Sequence, residues 1–397
     1  MKQVKKHDIR AVVRAAAAIL LTLCAVFPCR ASEADKQPIT VALYMLPQKA
    51  HFQEVVETKW AELHPDIPLE ITFPEHPYHD PSFLSADVFA YDTDMLTYVA
   101  EKGAAMELSP EDLPVYNDLI GFVRDGIAYE GKYYAIPFAI CNSCMLCDRT
   151  DLALSNARTF REAAELILED PSGGCMAIDF FGDIAYHFMH VFYSVNGSDA
   201  VPDLYNVDDE TAETLLDMAL LEKAYKETAG EVPKSQKKRA EHYDTGLVRA
   251  LYCYSEDSAK LMTRTDPSIR FFGYGSENDG RPFYCDAVSV NADIEDPGRR
   301  ALCLELANMI AGEEVFRDYI CVDGACLNVL PASETLFLSL ADEYAVYRAV
   351  WDAICDGENF IERPGSYVYD ITNEGKQILT DFVNTLLEEY EAVENAA

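Results

Sequence analysis

Four stretches near the start of the chain constrain the fold most. "ITVALYML" (39–46) is an apolar, β-branched run suited to a buried strand. "HFQEVVETKWAELHPDIP" follows, with Phe52, Val55, Val56, Lys59 and Leu63 at helical spacing and Pro65 to end the helix. "LEITF" (69–73) is the next strand and "ADVFAYD" (86–92) another. Strand, helix and strand joined by short connections mean an α/β fold.

The pattern continues. "GKYYAIPFAI" (131–140) reads as a turn into an extended segment around Pro137. "TFREAAELILED" has Thr159 as cap and Glu162 three residues on, a capping-box spacing, with Phe160, Ala163, Ala164, Ile167 and Leu168 as the apolar face. "CMAIDF" (175–180) and "LVRALYCYS" (247–255) predict strands, and "DETAETLLDMALLEKAYKET" a long amphipathic helix. "KSQKKRAEH" (234–242) is a polar, basic loop by composition, and a helix is predicted from Ser255. "RPFYCDAVSVNAD" (281–293) predicts a strand leading into a helix, and "NVLPAS" a turn before C-terminal helices. No Gly- or Pro-rich linker divides the chain. The order of elements predicts two α/β lobes joined by extended crossovers near Ile136, Ala287 and Leu330, with a ligand cleft between them. The expected limits are 38–138 with 286–331 for the first lobe and 139–285 with 332–397 for the second.

Residues 1–31 carry Lys2, Lys5, Lys6, Arg10 and Arg14 ahead of "AAAAILLTLCAVF" and then "CRAS". This is the layout of a secretory signal peptide, too short to span a bilayer, and predicts a secreted or periplasmic protein without a membrane anchor. The net charge is −36. Nucleic acid, which needs a basic footprint, is excluded as a partner, and a small cation is favoured. Cys175, Cys253, Cys285, Cys303 and Cys355 stand singly in apolar runs, where a buried thiol is expected. Cys321 and Cys326 are spaced to pair, but sequence does not decide it.

"AIPFAICNSCMLCDRTD" (135–151) has three cysteines, Cys141, Cys144 and Cys147, as C-x-x-C-x-x-C. A cluster loop needs a fourth cysteine and a following proline, and neither comes after Cys147. Zinc needs a fourth ligand, and no paired Cys/His motif supplies one, so no metal is expected. A Cys141–Cys144 disulfide would block a nucleophile; free thiols are expected in the active form, with Cys144 and Cys147 as packing residues of a strand. The histidine pairs His76/His79 and His187/His190 read as structural or solvated. Taken singly, Glu256 is an ordinary carboxylate at a helix start, and Asp92 and Asp286 are ordinary strand-end residues.

Taken jointly, these residues resemble a known family. "GKYYAIP", the capped "TFREAAELI" helix and "RPFYCDAVSVNADIEDPGRRALCLELANMIAG" resemble type II periplasmic solute-binding proteins over nearly the whole chain beyond the leader. "VALYMLP", "ADVFAYD", "AIPFAIC", "YSE" and "FYCDAVSVN" are more narrowly similar to the thiaminase I (thiamine pyridinylase) family, secreted enzymes on that fold. The resemblance implies Cys141 as covalent nucleophile and Glu256 as its base. It implies Tyr44, Tyr78, Asp92, Tyr254, Tyr284 and Asp286 as substrate-binding residues. Tyr243 is added at a less regular spacing. Leu46 stands where the family has a second tyrosine, which bears on substrate preference. The implied reaction displaces the thiazole of thiamine and passes the pyrimidinylmethyl group to a small amine, pyridine or thiol, with no cofactor, in a monomer. The alternative is a non-catalytic binding protein for thiamine or a related pyrimidine.

Overall fold

The structure is a computed structural model of the 397-residue chain. It describes residues 37–43, 47–74, 81–255, 267–275, 280–322, 325–327, 329–363 and 367–396. The strands are β1 (Ile39–Ala42), β2 (Leu69–Thr72), β3 (Val88–Asp92), β4 (Ala128–Tyr129), β5 (Lys132–Tyr133), β6 (Ile136–Cys141), β7 (Ser143–Asp148), β8 (Met176–Ala177), β9 (Ala250–Tyr254), β10 (Pro267–Arg270), β11 (Arg281–Val290), β12 (Cys321–Val322), β13 (Ala325–Cys326), β14 (Leu330–Pro331) and β15 (Asn359–Ile361). A seven-stranded sheet runs β14-β6-β11-β3-β1-β2, with β15 also on β11. A four-stranded sheet runs β10-β7-β9-β8. β1 is parallel to β2 and β3 around the helix Lys49–Leu63, as the opening stretches require.

Both faces of the large sheet are covered. Along β3, Val88 and Ala90 pack into one hydrophobic cluster and Phe89 and Tyr91 into another. This explains why these strands read as continuous apolar runs rather than alternating ones. β4 and β5 close on Glu130 and Gly131, both at positive φ, as a two-residue hairpin turn needs. The Thr159 hydroxyl accepts from the Glu162 amide, as the capping spacing predicts, while the Glu162 carboxylate accepts from the Arg158 amide.

Three sequence expectations are corrected. Residues 234–242 are not a loop: Gln236–Asp244 is a helix, with Arg239, Ala240 and Tyr243 buried at helical spacing and Arg239 paired with Asp179 at 2.7 Å. The strand expected over 175–180 is only Met176–Ala177, because the chain leaves β9 there and buries Ile178 and Phe180 in a core cluster. The turn at "NVLPAS" contains a strand, β14, paired with β6. The helix Ile184–Asn196, on which His187 and His190 lie, was not anticipated. The leader 1–31 and the helix predicted from Ser255 lie outside the described residues, apart from Ser255 itself.

Candidate active site

The chain passes from the large sheet to the small one at Asn142, the single residue between β6 and β7. Cys141, half-buried at the end of β6, therefore sits at the seam between the sheets. β7 fixes the fate of the other two cysteines. Cys144 and Cys147 are fully buried, and burial pushes the Cys147 thiol up to about 12, so it stays a thiol.

Two strands bring the remaining residues to this seam. On β11, Tyr284 lies opposite Cys141, so the two side chains share a face of the sheet. Asp286, two residues on, lies between Ala139 of β6 and Asp92 of β3. The register against β6 shifts between Asp286 and Ala287, an irregularity of the kind that re-aims side chains at sites. From the small sheet, Tyr254 at the end of β9 lies opposite Ser143. The Ser255 amide then donates to the Asn142 carbonyl at 2.9 Å. The residue after Cys141 is thus bonded to the residue before Glu256. Glu256, Tyr44, Leu46, Tyr78, His76 and His79 lie outside the described residues.

The electrostatics follow from this crowding. Burial first, then Asp183, Tyr186 and the Cys141 thiol, hold the Tyr254 phenol well above its ordinary range. Burial, then Glu362, Tyr254, Asp94 and Asp92, do the same to Tyr284. Both are phenols, donors rather than anions, at any ordinary pH. Asp92 and Asp286 face each other on neighbouring strands, and like charges so placed repel by roughly 0.2–1 kcal/mol. A cation or a proton between them removes that cost. Tyrosine faces, a carboxylate pair and a thiol can hold a flat cationic ligand against a soft nucleophile.

Tyr243 is placed differently. It is fully buried on the helix Gln236–Asp244 and belongs to a hydrophobic cluster. Sequence reasoning missed Asp94, Tyr186, His190 and Glu362. Asp94 is fully buried just after β3 and acts on Tyr284. Tyr186 and His190 come from the unanticipated helix, one turn apart. The only signal was the histidine spacing in "YHFMHVF". Among the described residues no group of three His, Cys, Asp or Glu side chains converges as a metal site would.

The two sheets, with a strand seam carrying the candidate residues, are the architecture of type II periplasmic-binding-protein-like folds. The solved maltodextrin-binding protein MalE1 from L. casei BL23 matches with a TM-score of 0.58 at 19% identity, over 88% of this chain and 94% of that one. The chain is also similar to thiaminase I. It is 24% identical to thiaminase-1 of Paenibacillus thiaminolyticus over 86% of this chain and 87% of that protein. Clostridium botulinum thiaminase I, solved in complex with thiamin, matches with a TM-score of 0.77 at 20% identity, over 87% of this chain and all of that one. No protein-family model matches the chain.

Proposed function

We propose that the protein is a thiamine-degrading transferase of the thiaminase I kind. The observation that carries this reading is the arrangement at the seam: Cys141 beside Tyr284, with Asp286, two residues on along β11, opposed to Asp92 of β3. The similarity to thiaminase I supports it. The carboxylate pair and the tyrosines Tyr254 and Tyr284 would hold the cationic vitamin, together with Tyr44 and Tyr78. Tyr243 is proposed as a further substrate-binding tyrosine.

Glu256 takes the thiol proton, and the Cys141 sulfur adds to the electron-poor pyrimidine ring. The bond between the bridging methylene and the thiazolium nitrogen then breaks. Its electron pair leaves on that nitrogen, so a neutral thiazole departs. Asp286 or Asp92 is suited to supply a proton to the ring nitrogen as sulfur adds. A small amine, pyridine or thiol then bonds to the methylene, and the Cys141 sulfur leaves, restoring the ring. Secretion after removal of residues 1–31, a monomeric state and the lobe limits 38–138 with 286–331 and 139–285 with 332–397 belong to the same proposal. The limits at 138/139 and 285/286 fall inside β6 (Ile136–Cys141) and β11 (Arg281–Val290), two strands of the large sheet.

The alternative, a binding protein for thiamine or a related pyrimidine, is favoured by the likeness to a maltodextrin-binding protein. Such a protein needs neither Cys141 nor Glu256. Purified protein incubated with thiamine and pyridine is expected to release the thiazole, and Cys141→Ser to abolish release while still binding thiamine. Binding without release by the unaltered protein would leave the binding-protein reading in its place.

A further inference from the structure

We propose that Glu362 and His190 form a buried positioning pair that fixes Tyr284 beside Cys141; this rests on the reading of Cys141 as the reacting group.

The sheet register places the parts. Phe283 pairs with Ile361, and the Glu362 amide donates to the Phe283 carbonyl at 3.0 Å. The next step along both strands puts Glu362 beside Tyr284. Cys141, Tyr284 and Glu362 therefore stand in one row across β6, β11 and the end of β15, pointing to one face. The helix Ile184–Asn196 lies over that row. Tyr186, His190 and Tyr193, at spacings of four and three, form one stripe on it. The His190 ring centroid is 4.5 Å from that of Tyr284, and His190 Nδ1 is 2.5 Å from Glu362 Oε1. The Tyr284 ring is thus held between the cysteine strand, the carboxylate and the imidazole.

The pair is expensive as a purely structural device. Both side chains are fully buried. Burying two such polar groups is costly, and apolar replacements of buried pairs of this kind are often neutral or stabilising. A packing role alone would be met more cheaply by leucine and phenylalanine. The helix Gly121–Gly126 packs closely on β15, since a Cβ on Gly126 would clash with the Ile361 side chain. Among the described residues the Tyr284 hydroxyl has no hydrogen-bond partner, although buried. Burial and the nearby carboxylate keep it protonated. The outcome is a donor with a fixed ring and an uncommitted hydroxyl, next to the thiol, available to the ligand. A displacement of about 1 Å in such a group can cost on the order of a hundred-fold in rate.

The test is a double-mutant cycle on Glu362→Gln and Tyr284→Phe, read by single-turnover thiazole release. Each single change is expected to slow release roughly ten- to a hundred-fold. If Glu362 works through Tyr284, the double variant is no slower than the worse single one. Losses that multiply, or a Glu362→Gln protein with unchanged rate, overturn the proposal. Should Glu362→Gln not fold, His190→Gln, whose amide still donates to Glu362, replaces it in the cycle with the same expectations. The cycle is run in parallel, without substrate, on the rate of Cys141 alkylation by iodoacetamide. Non-additive alkylation rates support the pair and additive ones overturn it, even if the unaltered protein releases no thiazole and the enzymatic reading itself falls.

Discussion

At the residue scale, the opposed carboxylates set ligand binding against stability. Asp286→Asn removes the repulsion across β11 and β3, so the unliganded protein is expected to gain roughly 0.2–1 kcal/mol while binding thiamine more weakly. Denaturant midpoints and calorimetric titration on the same protein check both signs; a loss of stability with unchanged affinity would show that the pair does not face the ligand. His187 gives a second residue-level expectation. Burial, then the neighbouring His190, hold its imidazole down to about 3, with the Asp179 carbonyl accepting at 3.4 Å and Arg239 also nearby. The unfolded chain takes up a proton near pH 6.5 and the folded protein does not until about 3. The stability this group contributes is therefore intact above 6.5 and is lost as pH falls towards 3. Between pH 6.5 and 5 the loss is about 2 kcal/mol. His187→Gln is expected to flatten that slope in denaturation curves taken across the range.

At the scale of elements, two short pieces carry separable expectations. Thr159 caps the helix Phe160–Leu168, whose Phe160 is fully buried and meets Tyr252 edge-on at 5.7 Å. Thr159→Ala is expected to cost about 1 kcal/mol in chemical unfolding. The hairpin of β12 and β13 places Cys321 opposite Cys326 with the sulfurs 3.6 Å apart. The Leu327 amide bonds the Ile320 carbonyl, so the cysteines fall on the alternate, non-hydrogen-bonded pair, where Cα atoms come closest. Cys144 and Cys253, 3.9 Å apart, fall on a hydrogen-bonded pair in the core, two residues from the Ser255–Asn142 bond. Treatment with oxidised glutathione is expected to link Cys321 to Cys326 and leave Cys144 and Cys253 reduced. Peptide mapping without reduction reads this directly.

At the scale of the whole molecule, charge and architecture act together. A net charge of −36 draws a cation towards any opening, so thiamine association is expected to slow as salt is added. A ligand bound between two sheets that meet at one seam stabilises both. Thiamine at a hundred times its dissociation constant is expected to add about 2.7 kcal/mol, and an uncharged pyrimidine at equal concentration less. Thermal melts with each ligand test this; equal shifts would remove the role of the cation.

The sequence by itself determined the α/β class, because apolar runs and helical spacing follow from burial that is local along the chain. It also marked Cys144 and Cys147 as strand packing, since a continuous apolar run leaves no solvated side. It misjudged 234–242, because Arg239 looks solvated until Asp179, sixty residues away, neutralises it in the fold. Only the tertiary structure set Cys141 opposite Tyr284 and Asp92 opposite Asp286, because strand register is decided between segments and leaves no trace within either one. The same holds for His190 and Glu362, 172 residues apart. A histidine and a glutamate become a buried pair only once a helix is laid across a sheet edge, and no periodicity in either segment encodes that meeting.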